Sequence, residues 1–268
     1  MTMPFYVAPE QFMKDKADFA RKNVARGRPL VAVIYDGGIL LAAENPSHTL
    51  RKISEIYDRI AFAGVGKYNE FDALRQAGVR YADVEGFRYS REDVHANALA
   101  NAYAQIVGNT FTHDVKPMEV EILVAEVGTT PDDDELYHIL YDGVVVDETG
   151  YAVLGGETDA IDARMKESFV EGFSLAAAVR AAVTALAGPE RTLAAADLEA
   201  AVLERDAARR AFRRLENGEL AELLQSTAPA EATAPGADPT DATAATEVTD
   251  ATAGGESGDG ATSSEPAG

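Results

Sequence analysis

Few side chains in this sequence stand at spacings that support chemistry. The run Gly64-Val65-Gly66-Lys67 invites comparison with a loop that cradles phosphate, where a lysine and the hydroxyl after it meet phosphate and Mg²⁺. That pattern needs a glycine where Ala61 stands and a serine or threonine where Tyr68 stands, so the run reads as a strand-to-helix turn. His48, His95, His113 and His138 occur singly, without the close histidine or carboxylate partners that put metal ligands on one helix face. Each reads as a satisfied core or surface histidine, and no metal or cofactor is expected. Asp132-Asp133-Asp134 lacks the alternating oxygen ligands and the glycine of a calcium loop and reads as a solvated hairpin loop. Arg209, Arg210, Arg213 and Arg214 form a basic cluster with only Phe212 as a stacking aromatic, which reads as a charged strand edge or a face toward an acidic neighbour. Taken alone, Lys52 is a solvated lysine at a strand end.

The composition narrows the classes further. Cysteine is absent, so neither a disulfide framework nor a thiolate ligand or nucleophile is available, and a reducing cytoplasm is the expected location. Apolar residues stop near Leu224. From Ser226 to Gly268 the chain is Ala, Thr, Pro, Gly, Ser, Asp and Glu with Val248 as its one branched aliphatic residue and without Lys, Arg or aromatics, a composition that cannot offset its ordering entropy by burial and is expected to form a disordered acidic tail. Eight of those residues are acidic, and without them the net charge of −21 becomes −13. So acidic a chain is not expected to bind nucleic acid or an anionic membrane, both of which demand a positive surface. Met-Thr-Met-Pro-Phe-Tyr-Val-Ala-Pro carries no basic region ahead of an apolar one, and no stretch approaches the ~20 apolar residues of a membrane span, so no export or membrane insertion is expected.

The elements that must position these residues follow from periodicity and punctuation. Pro9 suits the first position of a helix running to about Arg26, with Met13, Ala17, Ala20 and Val24 on one face, Phe12 and Phe19 widening it, and Gly27 ending it. Leu30 to Tyr35 and Ile39 to Ala43 flank Asp36-Gly37-Gly38 and predict a hairpin. A strand over Arg59 to Gly64 then leads into a helix near Lys67 to Gly78 whose Phe71, Leu74 and Gly78 share a face. Ser90, with Asp93 three residues on, predicts the cap of a long helix striped by Val94, Ala98, Ala102 and Ile106 and ending near Gly108. Val120 to Val124, Leu136 to Tyr141, Val144 to Val146 and Tyr151 to Leu154 predict a second sheet closed by Gly155-Gly156. A helix from about Asp159 bearing Ile161, Met165 and Phe169 follows, then one capped by Ser174 with Leu175, Val179, Ala182 and Leu186, stopped at Gly188-Pro189. Strands over Leu198 to Leu203 and Ala211 to Arg214 and a short helix complete the pattern. Two strand groups and two helix pairs predict an α+β fold, a four-layer α-β-β-α sandwich.

Val31-Ala32-Val33-Ile34, Asp36-Gly37-Gly38, Leu40-Leu41-Ala42-Ala43-Glu44 and Leu50-Arg51-Lys52-Ile53 together resemble the first strands of a proteasome core-particle subunit. The preceding helix, with Tyr57-Asp58-Arg59-Ile60-Ala61 and Gly155-Gly156, resembles the α-type branch in its actinobacterial form, and the resemblance covers roughly residues 1 to 224. It implies the N-terminal-nucleophile hydrolase fold. Catalytic β-type members use an N-terminal threonine whose own amine is the base. The matching position here is Arg28, the chain continues through Gly27 into a helix, and Glu44 stands at the acid position, so the resemblance implies a non-catalytic subunit. Gly128-Thr129-Thr130 is similar to a β-type processing site, but Pro131 and the acidic run follow where an apolar strand is needed, so it reads as a loop.

The resemblance also implies roles and partners. Lys52 occupies the position of the β-type catalytic lysine, which in α-type subunits resembles a receptor for the C-terminal carboxylate of a hexameric ATPase, with Gly66 shaping the same pocket. Residues 1–8, with Thr2, Met3, Pro4, Phe5, Tyr6, Val7 and Ala8, are expected to form a gate, residues 9–225 the α-type domain and residues 226–268 the acidic tail. The expected partners are identical α-subunits in a ring of seven, proteasome β-subunits, the ATPase, and unfolded proteins tagged by a ubiquitin-like protein. The alternatives are an amidohydrolase of the N-terminal-nucleophile superfamily active in its own right, and a stand-alone α/β binding module.

Overall fold

The computed structural model of the protein describes residues 8–47 and 49–226. In chain order the elements are α1 (Pro9–Ala25), β1 (Leu30–Tyr35), β2 (Gly38–Glu44), β3 (Ile53–Tyr57), β4 (Ile60–Gly66), α2 (Tyr68–Arg88), α3 (Ala96–His113), β5 (Val120–Glu126), β6 (Glu135–Ile139), β7 (Val145–Glu148), β8 (Tyr151–Leu154), α4 (Thr158–Ser168), α5 (Leu175–Ala187), β9 (Leu198–Glu204), β10 (Phe212–Leu215) and α6 (Asn217–Gln225). The strands form two antiparallel five-stranded sheets, ordered β10-β9-β2-β1-β8 and β3-β4-β5-β6-β7.

Successive side chains in a strand point to opposite faces, and both sheets use this alternation to bury both sides. Leu30, Ala32, Ile39, Leu41, Ala201 and Leu203 of the first sheet meet Ile53, Ala61, Ala63, Val65, Leu123 and Ala125 of the second in one apolar cluster between the sheets. The alternate residues Val31, Val33, Leu40, Ala42 and Val202 pack under α4, α5 and α6. Phe62, Ile60, Ile122 and Val124 pack under α2 and α3. The four expected layers follow from this partition of the core. Full burial of each such Leu, Ile or Phe contributes roughly 1.5–3 kcal/mol, which makes the sandwich a rigid frame for its edges.

α1 lies at one end of α3 rather than in the layers. Buried Lys16 donates to the carbonyls of Phe111 (3.0 Å) and Asp114 (2.5 Å), placing its charge where the last carbonyls of α3 lack partners. Ala20 packs with Phe111 and Tyr141, and Arg21 donates to the Tyr141 hydroxyl at 2.8 Å. Phe12 and Phe19 do not widen the buried face as expected and remain exposed.

Four further expectations are corrected. The strand expected over 59–64 is the second arm of a hairpin whose first arm, β3, reads Ile-Ser-Glu-Ile-Tyr and breaks the two-residue alternation where its register shifts between Glu55 and Tyr57, so it does not stand out. The helix expected to stop at Gly78 runs to Arg88, because Gly78 meets the Tyr103 hydroxyl of α3 and serves close helix packing. Ser90 accepts from the Glu92 N–H in a 3₁₀ turn over Arg91–Asp93, and α3 begins only at Ala96 and ends at His113. Its buried stripe is therefore Leu99, Tyr103, Val107 and Phe111, while Ala98 and Ile106 face outward. Finally, β8 leaves the second sheet and pairs with β1, Leu154 opposite Leu30.

Candidate functional site

The register of the first hairpin decides what gathers around the α1–β1 junction. Leu30 stands opposite Ala43, so Glu44 follows beside Pro29 and donates its N–H to the Pro29 carbonyl at 3.1 Å. Lys52 directly precedes β3, and its carbonyl accepts the Gly64 N–H of β4 at 3.0 Å. Arg28, Glu44 and Lys52, distant in sequence, thereby meet at one edge of the sandwich. The half-buried Lys52 ammonium donates to the Arg28 carbonyl. The Glu44 carboxylate lies 3.9 Å from the Arg28 guanidinium and 3.2 Å from that of Arg191.

The electrostatics leave Lys52 only partly compensated. Burial and the Arg28 guanidinium push its ammonium down from the usual 10.5 to about 8, against the opposing pull of Glu199 and Glu44. It remains a cation at neutral pH, suited to an anionic group that brings the missing charge. Threonine-type chemistry has no footing at this edge. Position 28 carries a guanidinium in place of a hydroxyl, and its nitrogen is a peptide amide in a chain whose Gly27 N–H closes the end of α1 on the Val24 carbonyl at 2.8 Å.

Gly66 belongs to the same edge. It ends β4 opposite Val120 with φ +106°, and a Cβ there would stand 2.0 Å from the Glu119 carbonyl oxygen, so only glycine fits. A Cβ on Gly27 would lie 3.0 Å from the Gly66 nitrogen, so the Gly27-Arg28 turn is the bridge between Gly66 and Lys52. Ala8 is exposed immediately before α1, and its carbonyl accepts the Phe12 N–H. Thr2, Met3, Pro4, Phe5, Tyr6 and Val7 lie outside the described residues, as do His48 and residues 227–268.

Two groups escaped the sequence. Glu199, on β9, is buried and accepts from the backbone N–H groups of Lys52 and Ile53 and from the side chains of Asn45 and Arg214. The available signal was a lone carboxylate inside an apolar strand. Asp134, read as part of a solvated loop, has a fully buried side chain that holds Arg205 through two 2.8 Å contacts. Pro131 to Asp133 form a 3₁₀ turn instead, in which the Thr130 hydroxyl donates to Asp133 and Gly128-Thr129-Thr130 is the loop before it.

The remaining candidates are structural. Gly64 to Lys67 is the junction of β4 and α2. His138 is buried between Glu121 and Glu148; burial pushes its imidazole down, but the two carboxylates outweigh this and raise it. His95 contacts Glu126 and His113 the Asn109 carbonyl, each singly. Among the described residues no group of three or more His, Cys, Asp or Glu could hold a metal ion, and no helix is long and apolar enough to cross a membrane. Arg213 and Arg214 lie on the edge strand β10, and with Arg210 they are engaged by Glu204, Glu219, Glu199 and Glu55.

Comparison with known proteins agrees with this geometry. Residues 24–197 match the family model described as proteasome subunit. A proteasome subunit alpha of Xylanimonas cellulosilytica is 57% identical over 231 residues, 82% of this chain and 95% of that relative. One from Thermomonospora curvata is 58% identical over 226 residues, covering 84% and 98%, and one from Frankia alni 54% over 238 residues, covering 85% and 99%.

Proposed function

This chain belongs to the proteasome subunit family, on its α-type branch, and we propose that it serves the core particle as a non-catalytic outer-ring subunit that gates entry and receives an ATPase. In this reading identical copies form a ring of seven that caps the proteolytic β-subunits in the cytoplasm. Residues 1–8 converge near the ring axis and restrict the entry of unfolded, tagged proteins, residues 9–225 build the ring, and residues 226–268 form an acidic appendage. A hexameric ATPase places its C-terminal carboxylate at Lys52, beside Gly66, and shifts the gate's population toward open.

The observation that carries this reading is the arrangement at Arg28, Glu44 and Lys52. The position of a nucleophile is filled by a mid-chain arginine, and the neighbouring ammonium is under-compensated and tied to the carbonyl just after α1. Such a site cannot cleave a peptide, yet it suits a terminal carboxylate, which supplies a charge and two acceptor oxygens. Deleting residues 2–8 is expected to raise peptide hydrolysis by the assembled particle; an unchanged rate would sink the gate. Lys52→Ala is expected to abolish ATPase-stimulated degradation, and retained stimulation would remove the docking assignment. The rival of an independently active amidohydrolase predicts a mature N-terminus at an internal threonine, which intact mass measurement decides.

A further inference from the structure

The interior of β9 is apolar except for Glu199, which stands opposite Ala43 of β2 and is only 3% exposed. One of its oxygens accepts the Lys52 N–H at 2.9 Å and the Asn45 side-chain amide at 2.7 Å. The other accepts the Ile53 N–H at 3.3 Å and an Arg214 N–H at 2.8 Å. Two further bonds close the arrangement: Arg214 to the Ile53 carbonyl at 2.7 Å and Asn45 to the Leu50 carbonyl at 2.8 Å. Four donors drawn from the β2–β3 connection, β3 and β10 thus converge on one buried anion. Only a carboxylate meets them all, because a glutamine in its place would turn an NH₂ group toward N–H donors and leave buried groups unpaired.

The residues tied down are those that carry Lys52. Among the described residues between β2 and β3, Asn45 to Ser47 and Thr49 to Lys52 lie in no regular element, and buried Glu199 accepts directly from Asn45 and Lys52. We propose that Glu199 is the positioning residue of the Lys52 site: its carboxylate anchors Asn45 and the backbone of Lys52 and Ile53 so that the Lys52 ammonium is held against the Arg28 carbonyl, at the edge that receives a chain-terminal carboxylate. This rests on the docking reading above. Glu199 also stands close enough to favour the charged form of Lys52, opposing the effect of burial.

The test uses the assembled core particle with two readouts: binding of a fluorescent peptide bearing the cognate ATPase's C-terminal residues and a free carboxylate, and NMR titration of ¹³C-methylated Lys52. Glu199→Gln is expected to weaken the peptide about tenfold, the scale of one stranded buried donor, and to lower the midpoint at which Lys52 loses its proton. Glu199→Asp, which keeps the charge, is expected to recover most of both. Asn45→Ala, which removes the amide that donates to both Glu199 and the Leu50 carbonyl, is expected to weaken the peptide about threefold and to shift the Lys52 midpoint in the same direction as Glu199→Gln but by less, and it carries the test if Glu199→Gln fails to assemble. A Lys52 titration unchanged in these variants overturns the proposal whatever the peptide does. If the peptide ignores Lys52→Ala, the docking reading falls, while the Lys52 titration still decides whether Glu199 positions that side chain.

Discussion

The two ends of β1 treat charge in opposite ways. Beyond Tyr35, the Arg205 and Asp134 side chains are buried and paired charge to charge, with the Gly128 carbonyl accepting from Arg205 and the Gly128 N–H donating to Asp134, and only the Arg205 Nε is left without a partner. Before Leu30, Lys52 is half-buried and borrows a backbone carbonyl as its nearest partner, with two carboxylates contributing from farther away. The first arrangement consumes its charges in holding the β9–β10 turn to the β5–β6 connection, while the Arg205 backbone N–H reaches the Gly37 carbonyl of the β1–β2 turn at 2.9 Å. The second leaves a cation short of a counterion. A buried charge matched by its opposite serves the frame, and one that lacks a matching charge leaves room for a partner.

The contrast is broken most severely at the charge-matched end. Arg205→Ala strands the Asp134 carboxylate and is expected to cost roughly 3–5 kcal/mol in chemical denaturation. Gly66→Ala at the other end forces a Cβ onto the Glu119 carbonyl and a residue with a side chain into positive φ, a loss of roughly 1–3 kcal/mol in the same measurement. Lys52→Met is expected to change stability by less than either, and to raise it slightly near neutrality, because it removes a cation that burial disfavours. The pH dependence sharpens the point. Lys52 has a folded pKa of about 8 against an ordinary 10.5, so its charge destabilises the fold fully below about pH 8 and progressively less as pH rises toward 10.5. The advantage of Lys52→Met should therefore shrink in denaturation series above pH 8. Over the same range binding of a carboxylate peptide to the parent should weaken, since the ammonium it needs is lost; affinity that stays level through this window would contradict the assignment.

Much of the fold was legible because local rules decide it. Asp36-Gly37-Gly38 announces its hairpin, and a Cβ at Gly38 would stand 1.9 Å from the Leu203 carbonyl of the neighbouring strand. Ser174 caps α5 by accepting from the Ala177 N–H, as its position before an apolar run requires. The failures at Gly78 and at Tyr151 to Leu154 are non-local. Gly78 resembles a helix terminator, and only the arrival of Tyr103 from α3 shows that it is a packing notch. Tyr151 to Leu154 is recognisable as a strand, but its choice of β1 over β7 depends on which way the chain turns. At the site, Lys52 and Gly66 were reached through resemblance, whereas Glu199 and Asp134 were missed because a carboxylate in sequence is silent about the donors that will surround it.

The peptide bond between Gly27 and Arg28 also sets a limit on redesign. Installing threonine at position 28 would restore a hydroxyl beside Lys52, yet its nitrogen would still be an amide, unable to accept a proton. Freeing that amine means cutting away α1, and with it the lysine that seals the end of α3 and the residues that cover Phe111 and Tyr141. Threonine-type chemistry cannot be installed at this edge one residue at a time, since the first productive step would remove part of the molecule's own wall.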